Sequence, residues 1–126
     1  MIDPTTFEYL GNRWQDLYTH LKSKGFDVYS PGQHLGECIS PYVVVKYDGT
    51  TQITNASSHW DLYAVMCYVP EGQYSELETL TTKVREAVSE LRPMFLKFYE
   101  QASMSAYDEA ARAHYTTTEY RNAKKD

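Results

Sequence analysis

The chain has 126 residues, of which 42% are hydrophobic and 14% aromatic, and twelve of them are tyrosines. This length fits one folded domain, and the apolar share is that of a folded chain and not of a disordered one. Seventeen acidic residues against twelve basic ones give a net charge of −5, which argues against a surface built to follow nucleic-acid phosphates. Tyrosine combines rigid apolar area with a polar tip, so its abundance suits a surface that meets partners or the rim of a small core.

Segment lengths and cysteine usage predict where the protein is found. No apolar stretch reaches the length of a transmembrane helix, and the first residues lack a basic start followed by an apolar run. Cys38 and Cys67 stand in unrelated contexts and do not make a disulfide framework. We therefore expect a single domain over residues 1–126 that is cytosolic, or released only when its cell lyses, and that does not contact a membrane.

The first predicted element is a helix that begins after Asp3 and ends at Gly25. Asp3 is a good N-cap, and Pro4 suits the first helical position. Gly25 is a typical terminator, and Lys22 and Lys24 place positive charge near the negative end of the helix dipole. The apolar residues recur three and four apart and form one stripe: Phe7, Leu10, Trp14, Leu17 and Leu21.

Three short strands are predicted next. Phe26–Tyr29 alternates apolar and polar residues, and after a loop rich in proline and glycine Tyr42–Tyr47 is rich in β-branched and aromatic residues. Asp48 followed by Gly49 is a strong signal for a two-residue hairpin turn, so Thr50–Thr54 would pair back on the preceding strand. That partner has only one large apolar residue, Ile53, which indicates an exposed edge or a projecting ribbon.

The clearest pattern combines a long strand and a capped helix. His59–Val69 is apolar on both alternating faces, which predicts a central strand that is covered on both sides and that ends at Pro70. Ser75 and Glu78 have capping-box spacing at the start of the helix, and Pro93 ends it. One apolar stripe runs along this helix: Leu77, Leu80, Val84, Ala87, Val88 and Leu91.

The C-terminal third is less regular. Met94–Tyr99 is apolar but short, Ala106–Ala113 has helix-forming composition, and His114–Arg121 has strand composition through its threonines and tyrosines. The whole order predicts an α+β domain with two main helices on a mixed, mostly antiparallel sheet of about four strands.

One strand face could carry acid–base chemistry. His59, Asp61 and Tyr63 alternate along the central strand and therefore share a face, which would suit a small cytosolic enzyme or ligand-binding module if it lay in a cleft. No nucleophile stands beside them in sequence, and the strand only begins there. We therefore expect His59 and Asp61 to be solvated and to have no catalytic role.

Other candidate residues favour ordinary structural roles. His34 and Cys38 have the spacing of two metal ligands on a helix, but the surrounding glycine and prolines argue against a helix. Arg121–Lys125 is the only basic patch, and such a short basic end is usually solvated. His20 and His114 are predicted at a surface or boundary. No phosphate-binding or nucleophile-elbow motif is present, so the sequence assigns no catalytic, cofactor-binding or metal residue.

Three pieces of the chain together carry a family pattern: Tyr42–Tyr47, Asp61–Val84 and Ala106–Lys125. In them a strand ends in Tyr-Val-Pro, a helix start contains Gln-Tyr-Ser, and the last strand has a His followed by Glu-Tyr-Arg-Asn. These motifs stand at Tyr68–Pro70, at Gln73–Ser75, and at His114 with Glu119–Asn122. On these motifs the chain resembles the small tail-completion proteins of long-tailed bacteriophages of Gram-positive hosts, which are related to tail terminators, minor capsid proteins and tail-to-head joining proteins.

The resemblance implies a structural virion protein and not an enzyme. Such a protein would form a hexameric ring at the head-proximal end of the tail tube, stop tube growth and join the tube protein to the head connector or stopper protein. DNA would meet it only by passing through the ring lumen, and the isolated protein could remain a monomer. The resemblance implies assembly in the host cytoplasm, residence in the virion tail, and no cofactor or metal. It also implies that Ala106–Ala113 is a loop or short turn, against its composition.

Polar strands at a sheet edge predict how copies would meet. Thr50–Thr54 and the final strand carry few apolar residues and would leave backbone groups unpaired, which neighbouring copies could use. Contacts of this kind close into a ring when the rotation between copies allows it. We therefore expect Ile53→Lys to leave the monomer folded and to block tail completion, and truncation before His114 to block it as well.

Overall fold

A computed structural model of the chain describes residues 13–52, 58–91, 96–97 and 104–125. This part of the chain contains two α helices, one 3₁₀ helix and a six-stranded sheet, so the fold is α+β as predicted. No helix in it is long and apolar enough to cross a membrane. The elements in order are α1 Arg13–Ser23, β1 Val28–Tyr29, β2 Tyr42–Gln52, β3 Ser58–Pro70, the 3₁₀ helix Glu71–Glu76, α2 Leu77–Ser89, β4 Leu96–Lys97, β5 Ala106–Asp108 and β6 Ala113–Lys125.

Strand β3 lies in the middle of the sheet, as its two apolar faces predict. The strands are arranged in the order β1-β2-β3-β6-β4, and β5 pairs with the outer side of β6. Among the strand pairs of the described residues, β1–β2 is parallel and the other four are antiparallel. Strand β6 pairs with β3 from Ser58↔Lys125 to Pro70↔Ala113, so the predicted final strand exists but is longer than expected. On its other side β6 pairs with β5 at Ala113–Tyr115 and with β4 at Tyr120 and Arg121, so the prediction that the final strand is an open edge is wrong at these positions.

The predicted hairpin at Asp48 and Gly49 is wrong. Strand β2 continues through both residues and pairs with β3 on either side of them, with a register shift between Tyr47 and Gly49 that marks a β-bulge. Gly49 has a φ of +93°, the left-handed conformation that glycine supplies both to tight hairpin turns and to bulges. Because β2 stays paired with β3 on both sides of Gly49, this glycine belongs to a bulge and not to a hairpin turn. Ile53 and Thr54 lie outside the described residues.

The predicted end of the first helix is confirmed at Gly25. The Gly25 N–H donates to the carbonyl oxygen of Lys22, and the Phe26 N–H donates to that of Leu21. These two hydrogen bonds together define a Schellman motif. Gly25 has a φ of +93°, as this motif requires. The part of the predicted helix before Arg13 lies outside the described residues.

The second helix starts differently from the predicted capping box. The chain passes from Pro70 directly into the 3₁₀ helix, and α2 follows with Glu76 as its N-cap and no side-chain hydrogen bond to the cap. The Leu77 N–H already donates to the carbonyl oxygen of Tyr74. Because the preceding turn supplies this acceptor, Ser75 does not cap α2, and its replacement by alanine is not expected to weaken the helix start.

Both helices pack on one face of the sheet and form the main core. His20 on α1 connects them, since its Nε2–H donates to the carbonyl oxygen of Ala87 at 2.8 Å. Side chains from both helices, β2, β3 and β6 are buried there: Leu17, Leu21, Val43, Val45, Tyr63, Val65, Cys67, Val84, Ala87, Val88 and Tyr120. Cys67 is therefore buried as predicted, and both cysteines are unpaired.

The opposite face of the sheet is covered only in part. Near Pro70 a second cluster contains Cys38, Tyr42, Val44, Ala111 and Ala113, which belong to two loops and to the strand ends beneath them. Towards the other end of β3, Trp60 and Leu62 remain half-buried. The expectation that β3 is covered on both faces therefore holds at one end of the strand and not at the other.

The bulge gives a test of the corrected strand. We expect Gly49→Ala to lower the free energy of unfolding by about 1 kcal/mol, because alanine is strained at a φ of +93°. Gly72→Ala is the matched control, since Gly72 has no positive φ and a Cβ would meet open space at both positions. Denaturant melts of both variants measure the difference, and equal stability would contradict the bulge.

Candidate functional site

A row of aromatic rings crosses the sheet on the face opposite the helices. Tyr42, Tyr68 and Tyr115 are directly opposite one another on β2, β3 and β6, and their rings stack with centroids 4.8 and 5.0 Å apart. The His34 ring stacks on Tyr42 at 3.9 Å, and the Tyr29 ring meets Tyr42 edge-on at 5.7 Å. These five rings, the aromatic row, form a continuous, mostly half-buried aromatic surface.

The aromatic row is apolar in its chemistry. Burial raises the pKa of Tyr42 and of Tyr68, so both phenols stay protonated near neutral pH. A groove of about 420 Å³ lies between the row and the loop over residues 30–36. Exposed Leu35 stands on its rim, and Val44 and Met66 also line it. The groove offers rings and apolar side chains to a partner, and Lys46 and Asp108 add one charged group of each sign to its lining.

The two candidate metal ligands are used in other ways. His34 belongs to the aromatic row, whereas the Cys38 thiol is buried and donates to the carbonyl oxygen of Ser40 at 3.3 Å. Among the described residues, no group of three or more His, Cys, Asp or Glu side chains is placed to hold a metal ion.

The expectation that Asp61 is solvated is wrong. Asp61 is 4% exposed and Tyr63 is 3% exposed. Tyr63 belongs to the helix-covered core together with Leu17 of α1, and Asp61 lies on the same face of β3 because side chains alternate along a strand. Buried Arg13 and half-buried Asp16 of α1 lie near them. Burial and the negative charge of Asp61 raise the pKa of Tyr63, which keeps the phenol neutral.

The proposed catalytic set is therefore only partly assembled. The structure brings Asp61 and Tyr63 together inside a buried polar cluster, and neither lines the groove beside the aromatic row or the groove beside α2. The side chain of His59 lies outside the described residues. A buried cluster of this kind suits structural stabilisation better than reaction with a substrate.

Two carboxyl groups meet where the bulge disturbs the sheet. Lys46, Ala64 and Glu119 are opposite one another on β2, β3 and β6, so the small alanine leaves space between the two longer side chains. The bulge brings Asp48 to the same place, 3.3 Å from the Lys46 ammonium. Burial, and secondarily the hydrogen bond and charge of Asp48, raise the pKa of Glu119 to about 7.

The outer edge of β2 is paired only at its beginning. The Val43 N–H donates to the carbonyl oxygen of Asp27 beside β1, and the Val45 carbonyl oxygen accepts from Trp14 Nε1 at 2.7 Å. From Lys46 to Gln52 this edge has no strand partner among the described residues. Among the described residues, β2 therefore presents the longest stretch of strand edge without a strand partner.

The edge of β2 is also protected against indiscriminate pairing. Lys46 is exposed, and the bulge at Asp48 interrupts the regular spacing of backbone groups. Charged side chains and bulges are the usual devices by which soluble proteins keep an open edge from aggregating. An ordered partner that fits the bulge is therefore favoured over a random strand.

A comparison of the chain with protein-family models and with curated proteins finds no match. The described geometry and the sequence pattern therefore carry the functional argument. That geometry consists of an open strand edge, a partly covered aromatic face and a buried polar cluster.

The Glu119 environment predicts a pH dependence of stability. The folded-state pKa of about 7 lies above the usual value of 4.5, so folding favours the protonated carboxyl group. This contribution to stability is fully present below about pH 4.5 and is lost as the pH rises through 7. We expect Glu119→Gln to flatten the fall in unfolding free energy between pH 5 and 8.

The control for this variant is Glu109→Gln, at an exposed turn position. Denaturant melts at several pH values compare the slopes of the two variants with that of the wild type. Identical slopes for all three proteins would show that Glu119 titrates normally.

Proposed function

We propose that this chain is a structural protein of a bacteriophage tail that caps the head-proximal end of the tail tube as a hexameric ring. In that position it stops tube growth and joins the tube protein to the head connector or stopper protein. The observation that carries the proposal is the open edge of β2 from Lys46 to Gln52, together with the resemblance described above.

An open edge supports ring formation because its backbone groups need partners. A second copy can supply them by placing the opposite side of its own sheet against β2. Such a contact is heterologous, since it uses different surfaces on the two copies, and heterologous contacts close into a ring when the rotation between copies permits. The same contact repeated six times gives the proposed hexamer.

Because the β2 edge is protected against pairing, we expect copies to assemble on the tail tube and not in free solution. Exposed Lys46 and the bulge at Asp48 disfavour pairing in free solution, so the isolated protein is expected to remain a monomer. The tail tube would hold copies at the right spacing, and a single weak interface then suffices. The net charge of −5 suits a ring lumen through which DNA passes without being held.

The alternative of a small enzyme or ligand-binding module on the face of His59, Asp61 and Tyr63 has less support. Asp61 and Tyr63 are both buried, and burial keeps the Tyr63 phenol protonated. No observation in the described part of the chain favours this alternative over a structural role.

Proline at position 50 tests the open edge directly. Thr50 is opposite Asp61 on β3, and Asp61 is two residues from Tyr63, which is opposite Tyr47. Tyr47 is four residues from Val43 on β2, and the Val43 N–H faces outward. Because hydrogen-bonded and non-bonded pairs alternate along an antiparallel ladder, the Thr50 N–H also faces away from β3. Thr50→Pro therefore removes a group from the open edge and leaves the β2–β3 ladder intact.

We expect phage that carry Thr50→Pro to make tails that are not capped and do not join heads, with a large loss of infectivity. Thr50→Val is the matched control, since it keeps the N–H and the β-branched shape. Electron microscopy of tail length and plaque counts measure the outcome, and thermal melts check that both variants fold. Normal tails and full infectivity with Thr50→Pro would overturn the assignment of this edge.

A further inference from the structure

A second surface lies at the end of the sheet where β3 ends and β6 begins. The His114 ring lies between Tyr74, whose centroid is 4.7 Å away, and Tyr107, whose centroid is 5.1 Å away. Tyr74 is 54% exposed, Tyr107 is 44% exposed, and Met104 is 92% exposed. We refer to these four residues as the end patch. It is separate from both the β2 edge and the aromatic row.

Hydrogen bonds hold the rings of the end patch in place. The Tyr74 hydroxyl and the Ser105 hydroxyl lie 3.1 Å apart, and the Tyr107 hydroxyl donates to a carboxylate oxygen of Glu71 at 2.6 Å. Two exposed tyrosine rings that are anchored in this way lose little side-chain freedom on binding, which favours their use as contact residues.

Carboxylates outnumber basic side chains around the end patch. The neighbouring segments contribute Glu71, Glu76, Glu78 and Glu109, against Arg85, which lines the groove beside Tyr74 together with Glu78, and Arg112. Arg112 already contacts Glu37 at 3.6 Å and Glu71 at 3.9 Å. Both the carboxylates and the faces of the tyrosine rings attract positive charge.

We propose that the end patch binds a cationic segment of a different protein, in which an arginine or lysine is flanked by apolar residues. The cation would lie over the Tyr74 or Tyr107 ring and near the carboxylates, and the apolar side chains would cover Met104. A second copy of this chain offers a poorer partner. Its basic end begins at Arg121, whose guanidinium already lies 4.6 Å from the centre of the Trp60 ring.

This inference rests on the proposed function in one respect, the identity of the partner. In a ring joined through the β2 edges, the ends of the strands face along the tail axis. The end patch would then face the tube protein or the connector, and one of them would carry the cationic segment. Binding of a cationic segment by the isolated protein does not depend on that placement.

A peptide titration tests the inference on the isolated protein. The probe is an acetylated and amidated peptide of Arg-Leu repeats, and a peptide of Glu-Leu repeats is its control. Methyl NMR of the four methionines reports where the peptide binds. We expect the Met104 signal to shift with the Arg-Leu peptide and not with the Glu-Leu peptide.

Variants separate the contribution of the ring from that of charge. We expect Tyr74→Ala to weaken binding about fivefold and Tyr74→Phe to keep it, because a cation–π contact needs the ring and not the hydroxyl. Glu109→Lys should weaken binding at least as much, whereas Glu86→Lys, an equal charge change at an exposed position on α2, should have little effect. Thermal melts check that each variant is folded.

Four results would overturn the inference. Equal weakening by Glu109→Lys and Glu86→Lys would mean that only net charge matters. Unchanged binding by Tyr74→Ala would remove the ring from the contact. Concentration-dependent self-association in sedimentation runs, abolished by Tyr74→Ala, would make the partner a second copy. If the peptide does not bind but Thr50→Pro still blocks tail capping, the inference fails and the proposed function remains.

Discussion

The pairing of β3 with β6 is the interaction on which the rest of the structure depends. It joins thirteen residue pairs, from Ser58↔Lys125 to Pro70↔Ala113, and every side chain on both strands takes its face from this register. A shift by one residue would turn the core side of β6 towards solvent. In the observed register Tyr120 lies in the helix-covered core and Tyr115 joins the aromatic row.

The same register explains why buried polar residues are tolerated in the core. Thr116 is opposite Cys67, and its hydroxyl lies 2.8 Å from that of Thr81 on α2. Thr81 in turn donates to the carbonyl oxygen of Leu77 at 2.8 Å, so both hydroxyls are hydrogen-bonded. Satisfied hydroxyls add little cost to a buried site, and they fix α2 against the sheet at one position.

Patterns that depend on neighbours in sequence were predictable from the sequence. The two apolar faces of β3 predicted its central place, and Gly25 predicted the end of α1 because a glycine after a helical stripe has few other roles. Asp48 and Gly49 were ambiguous, since the same glycine conformation serves a turn or a bulge. The choice depends on the distant strand β3, which a local pattern does not contain. Ser75 was misread for a similar reason, because the preceding 3₁₀ helix made a cap unnecessary.

The candidate site required the fold for its assembly. Tyrosine abundance predicted a surface rich in rings, but Tyr42, Tyr68 and Tyr115 meet only through the register of three strands. The burial of Asp61 depends on what packs on the helix-covered face of β3, and the raised pKa of Glu119 depends on a bulge in another strand. Contacts and pKa shifts that depend on distant residues leave no signal in the local sequence. The apolar periodicity of core helices and strands does leave such a signal.

Charge is distributed unevenly along the sheet, so the two ends of the molecule differ in sign. The carboxylates of segments 71–78 and 104–112 lie at the end where β6 begins, whereas Arg121, Lys124 and Lys125 occupy positions at its far end. The length of β6, thirteen residues at about 3.3 Å each, separates the two ends by roughly 40 Å. If copies join through their sheet edges in one rotational sense, all acidic ends lie on one side of the ring and all basic ends on the other. A ring with two chemically different sides is what a protein needs if it is to bind one partner below it and a different partner above.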